Sequence, residues 1–511
     1  MRSCGFDKLW LIEAVAVVVT ALLSANTRPI FYVWTLLCLA IDAYLVYNQR
    51  SMRRSRWRLR DGNKSGVMHC FLLVVAVMQI LQNAAIKGSS RSLFATFLAS
   101  AAAPILLGFL TTVFTFRRYV PLFIAYFAFA FVVVGDVSMA VMSSLFFFYF
   151  FLSFAPSSFT LAECMLLTQV FTLPVFAVEA IERGWVSNVG EQHFVVAYLC
   201  SGALLCCAAT TAVVSVVGRE TKSEKTIGFV LSVCAWLAVI AAITVRVSYN
   251  LEGGVDPFSW AIAFLVGKTR RQWISGIWLT ALFVTVAVAN RVNGTVPQTI
   301  YRKIFHALAV ALFLPGILID IDFLAVSLAI ASVIMLYVEM LRLLDAPLLG
   351  KVIHSYVSSN TDEKDAGPLV LTHFYLLLGT SLPVWYVWVR RDSIETSTVA
   401  FLISICGIIT VGVQDAAAST FGKLYGKHKW MGGSKKSVEG TAAGIIAALL
   451  STLLFMLVRD VVMHADTLLT LPPLSAFFAF ILAGIVEAVS DQIDNLILPL
   501  VALNVIAISG G

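Results

Sequence analysis

The chain has 511 residues, of which 59% are hydrophobic and 13% charged, and its mean hydropathy is +0.89. Soluble domains carry roughly a quarter charged residues, so this composition excludes an ordinary soluble domain. The formal net charge is +7, and no nucleic-acid partner is expected. Apolar runs of about 17 to 25 residues, the length that crosses a hydrocarbon core, recur along the chain. We therefore predict an all-α polytopic integral membrane protein with about 14 or 15 transmembrane helices.

The first half of the chain consists of predicted spans with short connections. The run from Leu9 to Ser24 has a basic flank but no small-residue cleavage site after it, so we interpret it as a retained first helix and not as a signal peptide. The predicted spans are 9–25, 30–47, 66–86, 93–115, 119–135, 138–155, 159–181, 193–217 and 227–245. We assign residues 1–255 to an N-terminal membrane region whose apolar bulk would accommodate a long lipid chain.

A basic segment, NQRSMRRSRWRLRDGNK at 48–64, places seven basic residues between two spans. The positive-inside tendency puts it on the cytosolic side, where we interpret it as a topogenic loop that contacts anionic headgroups. The sequons at Asn63 and Asn293 lie beside basic stretches, so neither is expected to be glycosylated. The nine cysteines are scattered through apolar runs without a C-x-x-C pair, which favours neither a disulfide framework nor a zinc site.

A second half begins after a polar boundary. Gly, Pro and charged residues at 246–260 mark that boundary, and we assign 256–300 to a connecting span and a polar hinge. Residues 301–511 form the predicted catalytic region, with spans at 304–319, 323–344, 368–389, 397–417, 438–458, 474–490 and 494–509. An even number of crossings separates the polar loops 345–366 and 418–437, so both are predicted on one side of the membrane.

Ionisable residues inside spans are costly unless they face a polar interior, so each marks a hypothesis for a site. Glu339 and Arg342 are spaced i, i+3 and can neutralise each other, which leaves a structural and a functional role equally open. Glu487, Asp491 and Asp494 stand at i, i+4 and i+7 and would share one face of a continuous helix. Like charges so placed need a metal, a cationic partner or raised pKa values, so we favour a functional site over a helix break that leaves them solvated.

The segment 413–444, VQDAAASTFGKLYGKHKWMGGSKKSVEGTAAG, gathers five lysines and six glycines behind Asp415. Glycines let backbone amides approach an anion, lysines supply charges for phosphate oxygens, and a carboxylate can hold magnesium. We therefore predict a polyphosphate site at the membrane edge. The spacing of Gly422, Gly426 and Lys427 does not fit a Walker A loop. The alternative is a basic cytosolic loop that serves topology alone.

With its flanking segments, this pattern resembles the CTP-binding signature of dolichol kinases, the CTP-dependent polyprenol kinase family of the endoplasmic reticulum. YRKIFH, LPG and YVEMLR, between 301 and 342, are similar to that family's R-K-x-x-H and E-x-x-R elements. EAVSDQIDNLILPL (487–500) resembles its C-terminal carboxylate segment, and SSFTLAECMLLTQ (157–169) a more weakly specified element. The similarity is specific over about 300–511 and loose before it. The family usually has glycine immediately before the aspartate, where this chain has Gln414, so the backbone geometry at Asp415 is in question.

The resemblance implies transfer of the γ-phosphoryl group of CTP to dolichol, which gives dolichyl phosphate and CDP for protein glycosylation and for GPI-anchor and other glycan precursors. It implies a multi-pass protein of the endoplasmic reticulum membrane, with the 413–444 loop facing the cytosol. Mg²⁺ or another divalent cation is the implied cofactor, with Asp415 as its ligand. The implied catalytic residues are Asp415, Glu487, Asp491, Asp494 and His306. The implied nucleotide-binding residues are Lys423, Lys427, Lys429, Gly422, Gly432, Gly433, Lys435, Lys436, Glu439, Arg302 and Lys303.

Several assignments stay open from the sequence. The C-terminal carboxylates would accept the proton of the lipid hydroxyl or hold a second metal, and His306 is either a base or a hydrogen-bonded structural histidine. A cytidylyltransferase that forms CDP-lipids, a diacylglycerol or phytol kinase, and a transporter are the alternative functions. The single dense basic, glycine-rich loop argues against a transporter. The isoprenoid length and the oligomeric state are not determined by the sequence.

Overall fold

The protein is described by a computed structural model over residues 8–24, 29–47, 66–84, 90–113, 120–154, 158–186, 189–218, 220–292, 295, 298–346, 350, 353, 367–390, 397–430, 436–464, 472–490 and 492–507. Helices account for most of these residues. No β-strand occurs among them beyond an isolated antiparallel bridge between Lys429 and Ser437. The predicted all-α class is confirmed.

In the described part of the first half, long helices follow one another with short connections. They are α1 (Lys8–Ser24), α2 (Pro29–Tyr47), α3 (Phe71–Ala84), α4 (Ser90–Val113), α5 (Val120–Val134), α6 (Met139–Phe154), α7 (Leu161–Glu182), α8 (Glu191–Val217) and α9 (Lys222–Asn250). A 3₁₀ turn, Val67–Cys70, leads into α3, and another, Glu252–Gly254, follows α9.

The second half has the same character and includes one helix that contains a π-helical segment. Its helices are α10 (Pro257–Val266), α11 (Thr269–Val292), α12 (Gln298–Ile319), α13 (Ile321–Leu343), α14 (Thr372–Arg390), α15 (Thr398–Gly407), α16 (Asp415–Tyr425), α17 (Val438–Val462), α18 (Leu474–Val489) and α19 (Asp494–Ile506). A π-helical segment, Ile408–Gln414, joins α15 to α16 without a break in the chain direction.

Eight helices of the described chain are long and apolar enough to cross a membrane, and nine shorter apolar helices accompany them. The predicted number of about 14 or 15 spans is larger than the number of long apolar helices and smaller than the number of long and shorter apolar helices together. The polytopic membrane class follows from these helices, because apolar segments of this length and number are not found in soluble domains.

The long apolar helices differ in how much of their surface the protein covers. The segment Thr398–Tyr425 has 78% of its apolar window buried, whereas Thr269–Val292 has 11%. The first is therefore the central helix of the bundle, and the second presents most of its apolar surface to the surroundings. In a membrane protein, lipid covers such a surface.

Both halves of the chain contribute to one hydrophobic core. Buried residues from Ala14 to Ala507 belong to a single packed cluster. The α1 helix packs against α18 and α19, α3 packs against α14 and α19, and α8 packs against α13. The functional division into 1–255, 256–300 and 301–511 stays a prediction, but its first and last parts are joined by packing.

Asp320 shows how the connections between helices are fixed. Its carboxylate caps α13 by accepting from the amide of Phe323 at 3.0 Å, and it receives the guanidinium groups of Arg270 and Arg271 at 2.9 Å each. Burial alone raises the pKa of Asp320, but the Phe323 amide and the two arginines outweigh it, so the pKa lies below its ordinary value. The start of α11 is thereby tied to the start of α13.

Glu339 and Arg342 form the buried ion pair that their spacing predicts. Arg342 donates to the two carboxylate oxygens of Glu339 at 2.6 and 2.8 Å, and both side chains are 8% exposed. Arg342 also donates to the carbonyl of Pro368, and the amide of Val370 donates to Glu339 Oε1 at 2.7 Å. These contacts support a structural role for the pair over a functional one, because they hold the segment that leads into α14.

Candidate active site

Asp415 lies at the first position of α16, directly after the π-helical segment in the central helix. Such segments insert an extra residue into a helical turn and are frequent at functional sites, because they redirect the following side chains. Gly412 lies in this segment, where an added Cβ would come within 2.6 Å of Val310 and 3.4 Å of the carbonyl of His306. The glycine therefore allows α12 to approach the turn and bring its polar residues to Asp415.

Two side chains of α12 contact the Asp415 carboxylate. Lys303 Nζ donates to Asp415 Oδ2 at 2.7 Å, and His306 Nε2 lies 3.3 Å from the same oxygen. Lys303 and His306 are three residues apart, so they share one face of the helix. All three side chains are less than one fifth exposed. A carboxylate that is so largely shielded from water needs this pairing to remain charged.

Lys436 contacts the C-terminal carboxylates. Its Nζ lies 3.2 Å from Asp494 Oδ2 and 3.8 Å from Glu487 Oε1, and it donates to the main-chain carbonyl of Glu487. Burial alone lowers the pKa of this lysine, but the surrounding carboxylates outweigh burial and raise the pKa above its usual value. The carboxylates, in order of effect, are those of Asp494, Glu487 and Asp415. Lys436 is therefore cationic and shares an electrostatic environment with Asp415.

Glu487 carries a carboxylate oxygen that is not satisfied. The residue is 5% exposed, and its Oε2 is buried without a hydrogen-bond partner. A buried polar atom in this state costs free energy that a bound cation or donor would recover. The oxygen lies on the carboxylate whose other oxygen faces Lys436.

Glu487 and Asp494 do not lie on one continuous helix, so the expectation of a shared helix face is wrong for these two carboxylates. The α18 helix ends at Val489 and α19 begins at Asp494, with Ser490 extended between them. Glu487 and Asp494 nevertheless meet, because both approach Lys436. The break therefore does not leave these two carboxylates solvated; a cationic partner from another segment compensates them.

The residues present fit a divalent cation that is shared with a phosphate ligand. Among the described residues, no group of three His, Cys, Asp or Glu side chains is close enough to hold a metal ion unaided. Magnesium is usually bound by one or two carboxylates together with substrate phosphates and water. Asp415, and Glu487 with its unsatisfied oxygen, supply carboxylate donors of that kind.

The predicted nucleotide-binding loop is anchored at both ends. The amide of His428 donates to Glu439 Oε1 at 3.0 Å, and His428 Nδ1 lies 2.5 Å from the same oxygen. The amide of Trp430 donates to the carbonyl of Lys436 at 3.2 Å. Glu439 therefore shapes the loop, and its predicted contact with the nucleotide stays a prediction. The lysines with exposed positions along this stretch are Lys423, Lys427 and Lys429.

The glycines beside this loop have a packing function that the sequence analysis missed. An added Cβ on Gly440 would lie 2.6 Å from the Ala418 carbonyl and 2.9 Å from Gly422 Cα. One on Gly444 would lie 2.9 Å from Ala418 Cβ. The α16 and α17 helices therefore cross through small residues, and the G-x-x-x-G spacing at 440–444 was the available signal. The predicted role of Gly422 in a phosphate cradle remains a prediction.

Some predicted site residues lie outside the described residues. They are Gly432, Gly433, Lys435 and Asp491, together with the side chain of Arg302.

Gln414 does not distort the backbone at Asp415. Its φ and ψ are −62° and −55°, and those of Asp415 are −62° and −38°, which are ordinary helical values open to any residue. The Gln414 side chain is buried, and its Nε2 donates to the Phe480 carbonyl at 2.8 Å. The side chain packs against Gly484, where an added Cβ would lie 2.9 Å from Gln414 Nε2. The residue therefore links the central helix to α18.

Curated proteins similar to this chain are dolichol kinases. The dolichol kinases of Mus musculus and Homo sapiens are each 34% identical over 265 residues, which cover 48% of this chain and 47% of the relative. The dolichol kinase of Saccharomyces cerevisiae is 27% identical over 320 residues, 62% of this chain and 56% of the relative. No family model and no solved structure matches the chain.

The chain thus spans about half the length of the mammalian relatives that it matches. Similar proteins also occur in a plant and in a second yeast, Arabidopsis thaliana and Schizosaccharomyces pombe. These matches confirm the resemblance to dolichol kinases that the sequence motifs predict.

Proposed function

We propose that the protein is a dolichol kinase that transfers the γ-phosphoryl group of CTP to the terminal hydroxyl of dolichol. One observation carries the proposal: Lys303 with Asp415, and Lys436 with Asp494, bring residues of four separate segments into one half-buried polar cluster, in which Lys436 also interacts electrostatically with Asp415. Each member of this cluster lies in a segment that resembles a dolichol kinase motif. The similarity to curated dolichol kinases over about half of their length supports the same activity.

The cluster has the parts that phosphoryl transfer requires. That reaction depends on positioning and on neutralising phosphate charge more than on covalent chemistry. Lys303 and Lys436 each carry an ammonium group held by a carboxylate, and a polyphosphate would compete for both. The exposed Lys423, Lys427 and Lys429 would guide the nucleotide toward them.

A divalent cation would be held by Asp415, with Glu487 as the second carboxylate. When bound, such a cation supplies neutralisation of charge between adjacent phosphates. His306 lies against the same oxygen of Asp415 as Lys303 does, so we assign it the task of orienting that carboxylate. In the same proposal, CTP and the 413–444 segment that binds it lie on the cytosolic side of the endoplasmic reticulum membrane.

A crevice between the two halves suits the hydrocarbon chain of the acceptor. It is narrow, with a free volume of about 20 Å³, and its lining is apolar apart from Glu339, which is paired with Arg342. Phenylalanine side chains form most of one wall, namely Phe146, Phe147, Phe150, Phe151 and Phe171. An isoprenoid chain is apolar throughout, so it would leave no polar group unpaired here, once these side chains move apart to widen the crevice.

Labelled CTP tests the function and its alternatives. Membranes that contain the protein are incubated with dolichol and with CTP labelled at either the γ or the α phosphorus. We expect label in the lipid from the γ position only. Label from the α position would instead identify cytidylyl transfer, and label from neither, in a preparation shown to bind CTP, would favour a transporter or a binding protein. Diacylglycerol and phytol replace dolichol in parallel incubations to test the other lipid kinases.

Replacing Asp415 tests the site. Asp415→Asn keeps the size of the side chain but removes the charge that faces Lys303 and His306. We expect phosphoryl transfer to fall by roughly 100-fold or more, because the group acts on charge that develops in the reaction. Asp136→Asn is the matched control, since Asp136 is an exposed aspartate paired with Arg183. Near-normal turnover of Asp415→Asn would remove this residue from the mechanism.

A further inference from the structure

A second crevice lies where the first half of the chain meets the C-terminal carboxylate segment. It is narrow, with room for about one water-sized group, and lies between the start of α3, the start of α7 and the start of α19. Its walls are mostly apolar, with Leu166, Ile493, Leu496 and Ile497 among them. Three polar side chains, those of His69, Glu163 and Gln492, also line it.

His69 forms a buried dyad with a carboxylate of α1. Its Nε2 lies 2.9 Å from Glu13 Oε1, and the two side chains are 1% and 0% exposed. Its other ring nitrogen, Nδ1, is buried and has no hydrogen-bond partner. The Glu13 carboxylate can only accept a hydrogen bond, so the contact places a proton on Nε2. In the imidazole that carries this one proton, Nδ1 is an acceptor without a partner, whereas the other polar side chains of the crevice, Glu163 and Gln492, are paired with Thr160.

The crevice adjoins the candidate active site through the segment that carries Asp494. Gln492 lines the crevice, and Thr160 Oγ1 donates to Gln492 Oε1 at 3.0 Å. Asp494, two residues further along, contacts Lys436. Ile493 and Ile497 are one helical turn apart and face the crevice, so Asp494 projects from a neighbouring face of the same turn.

We propose that this crevice receives the hydroxyl end of the isoprenoid alcohol and that His69 is the base that accepts its proton. The inference rests on the proposed function. Mostly apolar walls, with one unpaired acceptor and the other polar side chains already paired, match the chemistry of an aliphatic alcohol, which offers one donor at the end of a hydrocarbon chain. The polar groups of the nucleotide would instead find their partners among the lysines on the other side of Asp494.

In the proposed step, the hydroxyl proton moves to His69 Nδ1 while the alcohol oxygen forms a bond to the γ-phosphorus. The bond between that phosphorus and the bridging oxygen breaks, and the nucleoside diphosphate leaves with the electron pair. His69 becomes an imidazolium that Glu13 stabilises, and it later returns the proton to solvent. Glu13 is thus a positioning residue, because it fixes the tautomer and the charge of His69 without contact with the alcohol.

Imidazole rescue tests the base. His69→Ala in full-length protein is assayed with γ-labelled CTP and dolichol, with and without added imidazole. We expect a kcat at least about 100-fold lower with an unchanged KM for CTP, and a recovery of about 10-fold or more with imidazole. A purely structural histidine would not give this rescue. His193→Ala is the matched control, because His193 stacks on Trp388 and lies away from the crevice, and its kcat should stay unchanged.

Two results would overturn the inference. One is a kcat of His69→Ala within about threefold of wild type, and the other is a loss without rescue in a variant that still binds CTP. If His69→Ala does not bind CTP, His69→Asn replaces it under the same criteria. For Glu13→Gln we expect a lower kcat with both KM values unchanged, and a change in KM alone would remove its positioning role. Wild-type protein that transfers no γ label to dolichol would refute the proposed function itself, which separates the two failures.

Discussion

Gln414 occupies the residue position between the π-helical segment and Asp415, and its side chain determines how the central helix is held. Its amide reaches the Phe480 carbonyl, and it packs over Gly484 on the neighbouring α18. Its other amide atom, Oε1, is buried without a hydrogen-bond partner. The residue thus contributes packing and one buried hydrogen bond beside the site, while the backbone keeps helical angles that a glycine would also allow.

Replacing this glutamine should therefore affect stability more than chemistry. We expect Gln414→Gly to lower the free energy of unfolding by about 1 to 3 kcal/mol, because it removes a buried hydrogen bond and puts glycine inside a helix. Phosphoryl transfer should stay within about threefold of wild type at a permissive temperature. Thermal unfolding in detergent and the transfer assay measure the two effects.

Gln272→Gly is the matched control for this substitution. Gln272 also donates its side-chain amide to a carbonyl, that of Val266, but it is exposed. Its loss should cost about 1 kcal/mol or less. If Gln414→Gly abolished transfer while stability was unchanged, the residue would belong to the reaction and not to the packing.

At the scale of elements, the position of Asp415 depends on the crossing of α16 and α17. Small residues on both helices allow their backbones to come together, and Ala418, Gly422, Gly440 and Gly444 line the contact. Lys436 lies just before α17 and therefore moves with it. The packing of α16 against α17 thus sets the distance between Asp415 and Lys436. A bulkier residue at the crossing should therefore displace both residues.

Gly440→Ala tests this dependence. The added methyl group would meet the Ala418 carbonyl at 2.6 Å, so the helices must separate. We expect a destabilisation of about 1 to 3 kcal/mol and a fall in transfer activity beyond what stability explains. Gly276→Ala is the control, since a Cβ there meets no atom within 4 Å. Equal behaviour of the two variants would show that the crossing tolerates separation.

The ion pair of Glu339 and Arg342 gives a second test at this scale. Removal of one partner leaves a buried charge unpaired, so Glu339→Ala should cost about 3 to 5 kcal/mol. The exposed pair of Lys225 with Asp345 has side chains 44% and 47% exposed, and Lys225→Ala should cost about 1 kcal/mol or less. Unfolding in detergent measures both. A small effect of Glu339→Ala would mean that water reaches the pair.

For the whole molecule, the shared core means that the second half is not an independent unit. Asn504 on α19 donates to the carbonyl of Leu72 at 3.0 Å, and Tyr386 on α14 donates to Gln79 on α3 at 3.1 Å. Thr160 and Gln492 are joined in the same way. The C-terminal carboxylate segment is therefore held in place by contacts with the first half of the chain.

A fragment of residues 256–511 should consequently fail to form the site. We expect it to be degraded or to bind no CTP in membranes, because α19 loses the surfaces of α1 and α3 against which it packs. Co-expression of residues 1–255 should restore CTP binding, which serves as the control for damage by the cut itself. CTP binding by the isolated fragment, with the affinity of the intact chain, would contradict this prediction.

The sequence by itself determined the class of the protein and the segments that form the candidate site. Apolar runs that are long enough to span a bilayer identify a membrane protein. Charged residues within such runs must be compensated, so Asp415, Glu487 and Asp494 were identifiable without coordinates. The i, i+3 pairing of Glu339 with Arg342 was also predictable, because it depends on helical geometry alone.

Only the tertiary structure decided which charges meet. The pairing of Lys436 with Asp494 and of Lys303 with Asp415 joins residues 58 and 112 positions apart, and sequence spacing carries no information about such contacts. The π-helical segment before Asp415 and the break between α18 and α19 depend on packing against neighbouring helices, which can override the local preference of the chain. The buried dyad of Glu13 and His69 exists for the same reason: 56 residues separate its members, and a shared core brings them together.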